Sequence, residues 1–216
     1  MKPKIVPLGD SALLVQLGDE IDLTINQRVH TLAALIDKSP IEGIIETVPA
    51  YGTLLIHYDP LTLEYSKVNQ WVKSKLEHIQ NSESRKPRRI QVPVKYGGEY
   101  GPDLDSVAAY HNLQVEDVIR IHSERIYTVY MMGFTPGFPY MGKLDEAIIT
   151  PRLEVPRTNV PTGSVAIAGA QTGIYPLTSP GGWHLIGQTS LILFAPQSES
   201  PFLFAPGDEV KFIPEN

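Results

Sequence analysis

The stretch Tyr130-Met-Met-Gly-Phe-Thr-Pro-Gly-Phe-Pro-Tyr-Met-Gly-Lys143 contains three glycines, two prolines and four aromatic residues. Glycine adopts backbone angles with positive φ, whereas proline restricts φ and lacks an N–H donor. This composition predicts a shaped, mostly apolar loop after the strand-like run Ile126 to Val129, rather than a regular strand or helix. Two roles stay open: a buried loop whose rings fill the core, or the floor or rim of a binding pocket.

The same stretch contains a near match to a nucleotide-binding loop. Gly137 to Lys143 has the spacing G-x-x-x-x-G-K, but Leu144 follows where Ser or Thr would bind Mg²⁺. Pro139 removes an amide that would hold phosphate, and Phe138 is too bulky for a tight phosphate-binding turn. We therefore reject a phosphate-binding role for this stretch.

The residues up to 86 predict an α+β unit. A strand is expected at 12–17, and a helix follows Asp22, a suitable N-cap residue. The runs Ile44 to Pro49 and Thr53 to Tyr58 predict a hairpin, and apolar residues at 68–79 have helical spacing. The order strand, helix, hairpin, helix is typical of helices packed on one face of an antiparallel sheet.

The segment Asn81 to Arg89 is polar and rich in cations, which predicts a linker with a solvated basic patch. We place a domain boundary there, giving domains at 1–86 and 87–216. Most of the 19 prolines and 17 glycines follow this boundary. Short β-like runs between these residues predict a mainly-β domain built on a closed or nearly closed barrel. The runs are 165–168, 173–176, 183–186, 190–194 and 210–213.

Two short helices are expected in the second domain before the barrel runs. Asp103 or Asp105 is the predicted cap of the first helix. The second helix places His122 on its apolar face. This residue is either a neutral core histidine bonded to a carbonyl group or a general base in a pocket.

Composition excludes several classes of function. The chain has no cysteine, so disulfides, thiolate nucleophiles and cysteine-based zinc sites are absent. The net charge of −6 argues against non-specific binding of nucleic acid. No histidine pair has metal-ligand spacing, and no apolar run is long enough for a signal peptide or a membrane span. We expect a cytoplasmic protein with no metal site, no nucleic-acid partner and no membrane contact.

Polar side chains near two predicted turns suggest a ligand site. Gln171, Thr172 and Tyr175 would place an amide, a hydroxyl and a phenol around a turn between two strands. Arg152 and Arg157 flank a proline-rich stretch, where each either clamps an anion or forms a surface pair. We predict a barrel pocket for a substrate or a partner, with catalytic residues unassigned. Its predicted lining is Phe134, Phe138, Tyr140, Arg157, Gln171, Thr172, Tyr175 and Trp183.

Six stretches spread over essentially the whole chain resemble the allophanate hydrolase subunit 1 family. They are Leu8-Gly-Asp-Ser-Ala12, Tyr96-Gly-Gly-Glu-Tyr-Gly-Pro-Asp-Leu104, Gly133 to Gly142, Pro156 to Pro176, Ser179-Pro-Gly-Gly-Trp-His-Leu-Ile-Gly187 and Pro206-Gly-Asp208. The resemblance implies an α+β N-terminal domain followed by a mainly-β cyclophilin-like barrel domain.

The resemblance also implies a function in a complex. Members of this family serve as the B-subunit of an ATP-dependent 5-oxoprolinase, a hydrolase that opens 5-oxo-L-proline to L-glutamate. The implied partners are an allophanate hydrolase subunit 2-type protein (the C-subunit) and a LamB/YcsF-type protein (the A-subunit). ATP and Mg²⁺ are expected at the level of the complex, on an unidentified member of it, and the chain alone is expected to be inactive.

Two alternatives follow from the same resemblance. Kip-type members inhibit a sporulation histidine kinase, so a sensor histidine kinase is an alternative partner, and the apolar barrel surface suits a protein interface. A third function is a carboxyltransferase-like component of urea or allophanate degradation.

Overall fold

The computed structural model describes residues 2–79 and 86–215, and the chain divides into two compact units, Met1–Lys86 and Pro87–Asn216. Most of the predicted linker, residues 81–85, lies outside the described residues. Among the helices of the described ranges, none combines the length and apolar character that crossing a membrane requires.

The first unit contains a four-stranded antiparallel sheet with the strand order β1-β2-β4-β3 and two helices. The strands are β1 Lys4–Pro7, β2 Ala12–Gln16, β3 Ile44–Pro49 and β4 Thr53–Tyr58, and the helices are α1 Leu23–Lys38 and α2 Tyr65–Glu77. The hairpin predicted over 44–58 is thus formed by β3 and β4. Apolar residues of both helices and of the sheet share one buried core.

Helix α1 begins where the sequence predicts it. The Asp22 carboxylate accepts a hydrogen bond from the Ile25 N–H at 2.9 Å, which satisfies one of the free amides of the first turn. The helix then buries Val29, Leu32 and Ile36, residues whose spacing places them on one face.

The second unit is built on a closed seven-stranded barrel with the order β10-β7-β6-β13-β5-β12-β9. Its elements in chain order are β5 Arg89–Tyr96, α3 Leu104–Tyr110, α4 Val115–Glu124, β6 Ile126–Met132, β7 Pro139–Gly142, β8 Arg157–Val160, β9 Ser164–Ala168, β10 Gln171–Ile174, β11 Ser179–Gly181, β12 His184–Gln188 and β13 Glu209–Glu215. Strands β8 and β11 form a separate two-stranded sheet. The barrel encloses one large apolar core, because inward-facing residues alternate along each strand.

Two predictions about strands were wrong. Residues 190–194 form no strand of the barrel, which closes through the pairing of β12 and β13 with β5, and only Phe194 forms an isolated β-bridge, with Phe202. The stretch Tyr130–Lys143 is also more regular than predicted: it contains the end of β6 and all of β7, separated by a short loop at 133–138. Pro139 is compatible with a strand because it is the first residue of β7.

Two arginines of the predicted basic patch form ion pairs with residues at or next to the start of strand β13. The Arg88 guanidinium contacts both carboxylate oxygens of Asp208, at 3.1 and 2.5 Å, and the Asp208 side chain is fully buried. Arg89 pairs with Glu209 at 2.8 Å. Both ion pairs lie where β5 and β13 begin and are consistent with the register of this parallel strand pair, which aligns Arg89 with Glu209.

Candidate binding site

Five aromatic side chains meet on the face of β7 and β10 opposite to the barrel core. Phe138 is central, with ring centroids 4.8 Å from Tyr140, 5.1 Å from Tyr175 and 5.5 Å from Trp183. Its contacts with Tyr175 and Trp183 are edge-to-face, a favoured geometry for aromatic pairs. We call Phe134, Phe138, Tyr140, Tyr175 and Trp183 the aromatic cluster. The structure therefore brings together all five predicted aromatic residues.

A glycine beneath the cluster allows Phe138 to approach the sheet closely. Gly173 on β10 pairs with Tyr140 on β7, and a Cβ atom at Gly173 would lie 2.7 Å from Phe138 Cζ. The Pro139 carbonyl oxygen would lie 3.1 Å from the same atom. The ring and the strand can occupy their positions only because no side chain is present at Gly173.

Replacing Gly173 with alanine is expected to destabilise the barrel by about 1–3 kcal/mol, because the new methyl group overpacks against Phe138. Urea unfolding followed by Trp183 fluorescence in a Trp71→Phe background reports on this unit. Gly182→Ala is the matched control, since its Cβ would meet nothing closer than 3.6 Å. Equal urea midpoints for the two variants would contradict the close packing of Phe138 on Gly173.

Phe134 differs from the rest of the cluster because its side chain is 61% exposed. Its φ of +64° is unusual for a bulky residue, and the Thr135 N–H bonds to the Gly133 carbonyl at 2.8 Å across it. The ring stands perpendicular to Phe138 and Tyr175, at centroid distances of 5.6 and 6.3 Å. A strained turn thus presents an aromatic ring to solvent above a buried cluster, an arrangement found at functional sites.

Arg157 lies beside the cluster and is held by a carboxylate. Its guanidinium contacts Asp103 Oδ1 at 2.5 Å, while Asp103 Oδ2 accepts the Leu185 N–H at 2.6 Å. Asp103 is the N-cap residue of α3, as predicted, but its side chain makes no capping hydrogen bond and binds Arg157 and Leu185 instead. The other terminal nitrogen of Arg157 is buried without a hydrogen-bond partner among the described residues.

Two tyrosines supply hydrogen-bond donors to this site. Burial raises the pKa of Tyr140 and of Tyr175, and the positive charge of Arg152 opposes this rise at both phenols. A backbone hydrogen bond from Trp183 also opposes it at Tyr175. Both phenols therefore stay protonated at neutral pH and can donate to an acceptor.

Thr172 does not belong to the cluster, although it was predicted in the pocket. Gln171 and Thr172 are consecutive residues of β10 and so lie on opposite faces of the strand. Thr172 pairs with Met141 and Ile167, which belong to the barrel core, and it is fully buried. Gln171 lies on the same face as Gly173, and hence on the face of the aromatic cluster.

Inside the barrel, Thr172 takes part in a buried network centred on His122. Thr172 Oγ1 lies 2.9 Å from His122 Nε2 and donates to the Ala166 carbonyl at 3.1 Å, so we assign the Nε2 proton to the histidine. His122 Nδ1 then accepts from the Tyr96 hydroxyl at 2.7 Å. Complete burial lowers the pKa of His122 to about 3. His122 is thus a neutral core histidine, bonded to two hydroxyl groups rather than to the expected carbonyl.

A cavity of about 660 Å³ lies on the same unit but has no residue in common with the predicted pocket. Its lining includes the apolar Leu177, Leu191 and Ile192 together with Lys95 and Glu215. We prefer the aromatic cluster as the candidate site because phenol, amide and guanidinium groups converge beside it.

The described residues include no group of three or more side chains suited to hold a metal ion. The structure also argues against a phosphate-binding role for the stretch Gly137 to Lys143. Pro139–Gly142 forms strand β7, which is paired with β6 and β10, so this segment does not form a turn around phosphate.

Comparison with known proteins gives consistent matches over most of the chain. A family model described as carboxyltransferase domain, subdomain C and D, matches residues 3–204. The 5-oxoprolinase B-subunit of Bacillus subtilis (strain 168) is 43% identical over 220 residues, covering 97% of this chain and 92% of that protein. The 5-oxoprolinase B-subunit of Haemophilus influenzae is 42% identical over 217 residues, covering 98% and 97%.

The fold of this chain is also similar to that of a solved structure. The crystal structure of TTHA0988 has a TM-score of 0.84 at 37% identity and covers 95% of this chain. This chain spans 40% of the length of that solved chain. The matches to the two bacterial B-subunits confirm the resemblance identified from the motifs.

Proposed function

We propose that this chain, which belongs to the carboxyltransferase subdomain C and D family, is a subunit of an ATP-dependent complex that opens 5-oxo-L-proline to L-glutamate. The observation that carries the proposal is the nearly full-length similarity to bacterial proteins named as the B-subunit of 5-oxoprolinase. Similarity at this level over nearly the whole of both proteins supports the same role rather than a shared domain alone.

The chemistry of the reaction explains why a complex and ATP are needed. The ring of 5-oxoproline is a lactam, a stable amide that water attacks slowly. Transfer of a phosphoryl group from ATP to the lactam oxygen would make the ring carbon electrophilic, so that water can add and the C–N bond can break. The products are then L-glutamate, ADP and phosphate.

This chain contributes binding groups rather than a complete set of catalytic groups in our proposal. The predicted pocket residues offer aromatic faces, phenol donors and an amide, but no carboxylate or histidine that would act as an acid–base pair. This composition supports a protein that is inactive alone and works beside partners. We propose an allophanate hydrolase subunit 2-type protein and a LamB/YcsF-type protein as those partners, with ATP and Mg²⁺ bound in the assembled complex.

Reconstitution tests the proposal directly. The purified chain is mixed with the two partner proteins, and release of ADP is measured with and without 5-oxo-L-proline. We expect ADP release that depends on 5-oxo-L-proline only when all three proteins are present, and background release when this chain is omitted or heat-denatured. Equal release without this chain would refute the proposal.

Two other functions give different results in related assays. A carboxyltransferase role, which the family description favours, predicts turnover that requires a biotinylated carrier and bicarbonate. A kinase-inhibitor role predicts that the chain suppresses autophosphorylation of a sensor histidine kinase. ADP release that needs neither a biotinylated carrier nor a kinase supports the first proposal over both alternatives.

We further infer the class of each unit and the location of the protein. The four-stranded sheet with two helices supports an α+β class for the first unit, and the closed barrel supports a cyclophilin-like class for the second. An ATP-dependent complex works where ATP is plentiful, so the proposal places the chain in the cytoplasm.

A further inference from the structure

The backbone around Arg152 is fixed beside the aromatic cluster. Thr150 accepts a hydrogen bond from the Gly169 N–H at 2.7 Å, and Leu153 donates to the Gly182 carbonyl at 2.8 Å. Gly169 precedes the start of β10, and Gly182 precedes Trp183 directly. The two bonds therefore hold Arg152 between the strand that carries Gln171 and the segment that carries Trp183.

The guanidinium of Arg152 is available for a ligand. Arg152 is exposed, and it makes no hydrogen bond or ion pair within residues 2–79 and 86–215. The His184 ring, which follows Trp183 in the chain, lies 2.9 Å from the carbonyl oxygen of Pro151, the residue before Arg152. The positive charge of Arg152 also opposes the rise in the pKa of Tyr140 and of Tyr175. Arg157 also acts on Tyr175, but Asp103 already neutralises that guanidinium.

We propose that Arg152 and the aromatic cluster together form a binding site for a small monocarboxylate with a flat body. Arg152 pairs with the carboxylate, the exposed Phe134 ring covers the flat body, and a phenol of Tyr140 or Tyr175 donates to an acceptor on it. That the ligand is 5-oxo-L-proline rests on the proposed function, because its ring carries one carboxylate and one amide oxygen.

The surroundings of Arg152 favour a carboxylate over a phosphate. A planar guanidinium forms two parallel hydrogen bonds to a carboxylate or to a phosphate, so the groups around it decide between the two. A nucleotide phosphate carries more charge and is usually held by several backbone amides in a glycine-rich turn or at a helix N-terminus. Arg152 instead lies beside a cluster of aromatic rings, of which Tyr140 belongs to strand β7 and the other four lie in the segments that flank the strands. Such surroundings suit an organic acid of low charge.

The test combines direct binding with steady-state kinetics. Binding of 5-oxo-L-proline, 2-pyrrolidone and ADP to the full chain is measured by calorimetry or NMR, for wild type and Arg152→Gln. Arg120→Gln is the matched control, because Arg120 is an exposed arginine of α4 whose pairs lie on the helix surface. The same variants are then assayed in the reconstituted complex.

We expect Arg152→Gln to weaken binding of 5-oxo-L-proline by about 10- to 100-fold, the usual loss for one charge-assisted pair. Binding of 2-pyrrolidone, which lacks the carboxylate, should be similar in wild type and variant. In the complex, KM for 5-oxo-L-proline should rise by a similar factor with little change in kcat, because the carboxylate does not react.

The outcomes separate this inference from the proposed function. An active complex in which Arg152→Gln leaves KM unchanged would refute the binding site while the proposed function stands. An inactive complex with Arg152-dependent binding to the isolated chain would refute the proposed function alone. Loss of ADP binding with unchanged binding of 5-oxo-L-proline would make the site a nucleotide site and overturn the inference.

Discussion

Replacing His122 with alanine should lower the free energy of unfolding of the barrel by about 3–5 kcal/mol. The change removes a ring whose centroid lies 4.5 Å from that of Phe212 and 5.3 Å from that of Tyr127, and so leaves a cavity in the core. It also leaves the buried Tyr96 hydroxyl without its acceptor. Urea unfolding followed by Trp183 fluorescence measures the loss, with Trp71 replaced by phenylalanine to silence the first unit.

His111→Ala provides the matched control for this prediction. His111 also bonds to a threonine hydroxyl, with its Nε2 atom 3.1 Å from Thr150 Oγ1, but its side chain is half-buried and lies at the end of a helix. We expect His111→Ala to lower the free energy of unfolding by about 1 kcal/mol or less. A loss at His122 as small as that at His111 would show that the buried network contributes little.

Acidification should destabilise the barrel through the same histidine. His122 has a pKa of about 3 in the folded protein because burial disfavours its charged form, against an ordinary value near 6.5. Below pH 6.5 the unfolded chain therefore binds a proton that the folded chain does not. The contribution of His122 to the free energy of unfolding is complete above pH 6.5. As the pH falls from 6.5 towards 3, the free energy of unfolding decreases by about 1.4 kcal/mol per pH unit.

His122→Gln isolates this contribution, since glutamine keeps hydrogen-bonding groups but does not titrate. The free energy of unfolding of the wild type and of the variant is measured between pH 7.5 and 4. The slope of this free energy against pH is then compared between the two proteins. Burial also lowers the pKa of His111, and this residue acts in the same direction in both proteins, so its effect cancels. Parallel slopes below pH 6.5 would exclude His122 as the source of the acid sensitivity.

Local patterns predicted five of the six elements of the first unit, all except β1, because each of the five depends on neighbouring residues. The Asp22 cap, the apolar spacing of α1 and the hairpin at 44–58 all involve short sequence separations. The grouping of the five aromatic residues was also predicted, since they lie in motifs rich in glycine and proline. Trp183 and Phe138 are 45 residues apart in the sequence, and their rings meet only in the folded barrel.

The errors concern residues whose partners are distant in sequence. Asp103 has the sequence context of a helix cap, but its carboxylate binds Arg157 and the Leu185 amide, which lie 54 and 82 residues away. Thr172 was placed in the pocket because the turn was predicted to include residues that belong to β10. A shift of one residue along a strand reverses the face of a side chain, so the start of β10 decides which of its residues reach the site.

The parallel pairing of β5 with β13 has a consequence for how the barrel forms. Glu209 aligns with Arg89, 120 residues earlier, and the pairing continues through seven residues to Glu215 and Lys95. The barrel therefore cannot close on a ribosome until the last strand has emerged, whereas the first unit is complete in sequence long before. Closure of so long a loop makes folding slow. Until β13 pairs with them, β5 and β6 each keep an open edge. The nascent second unit is therefore the part of this protein that most needs protection from aggregation.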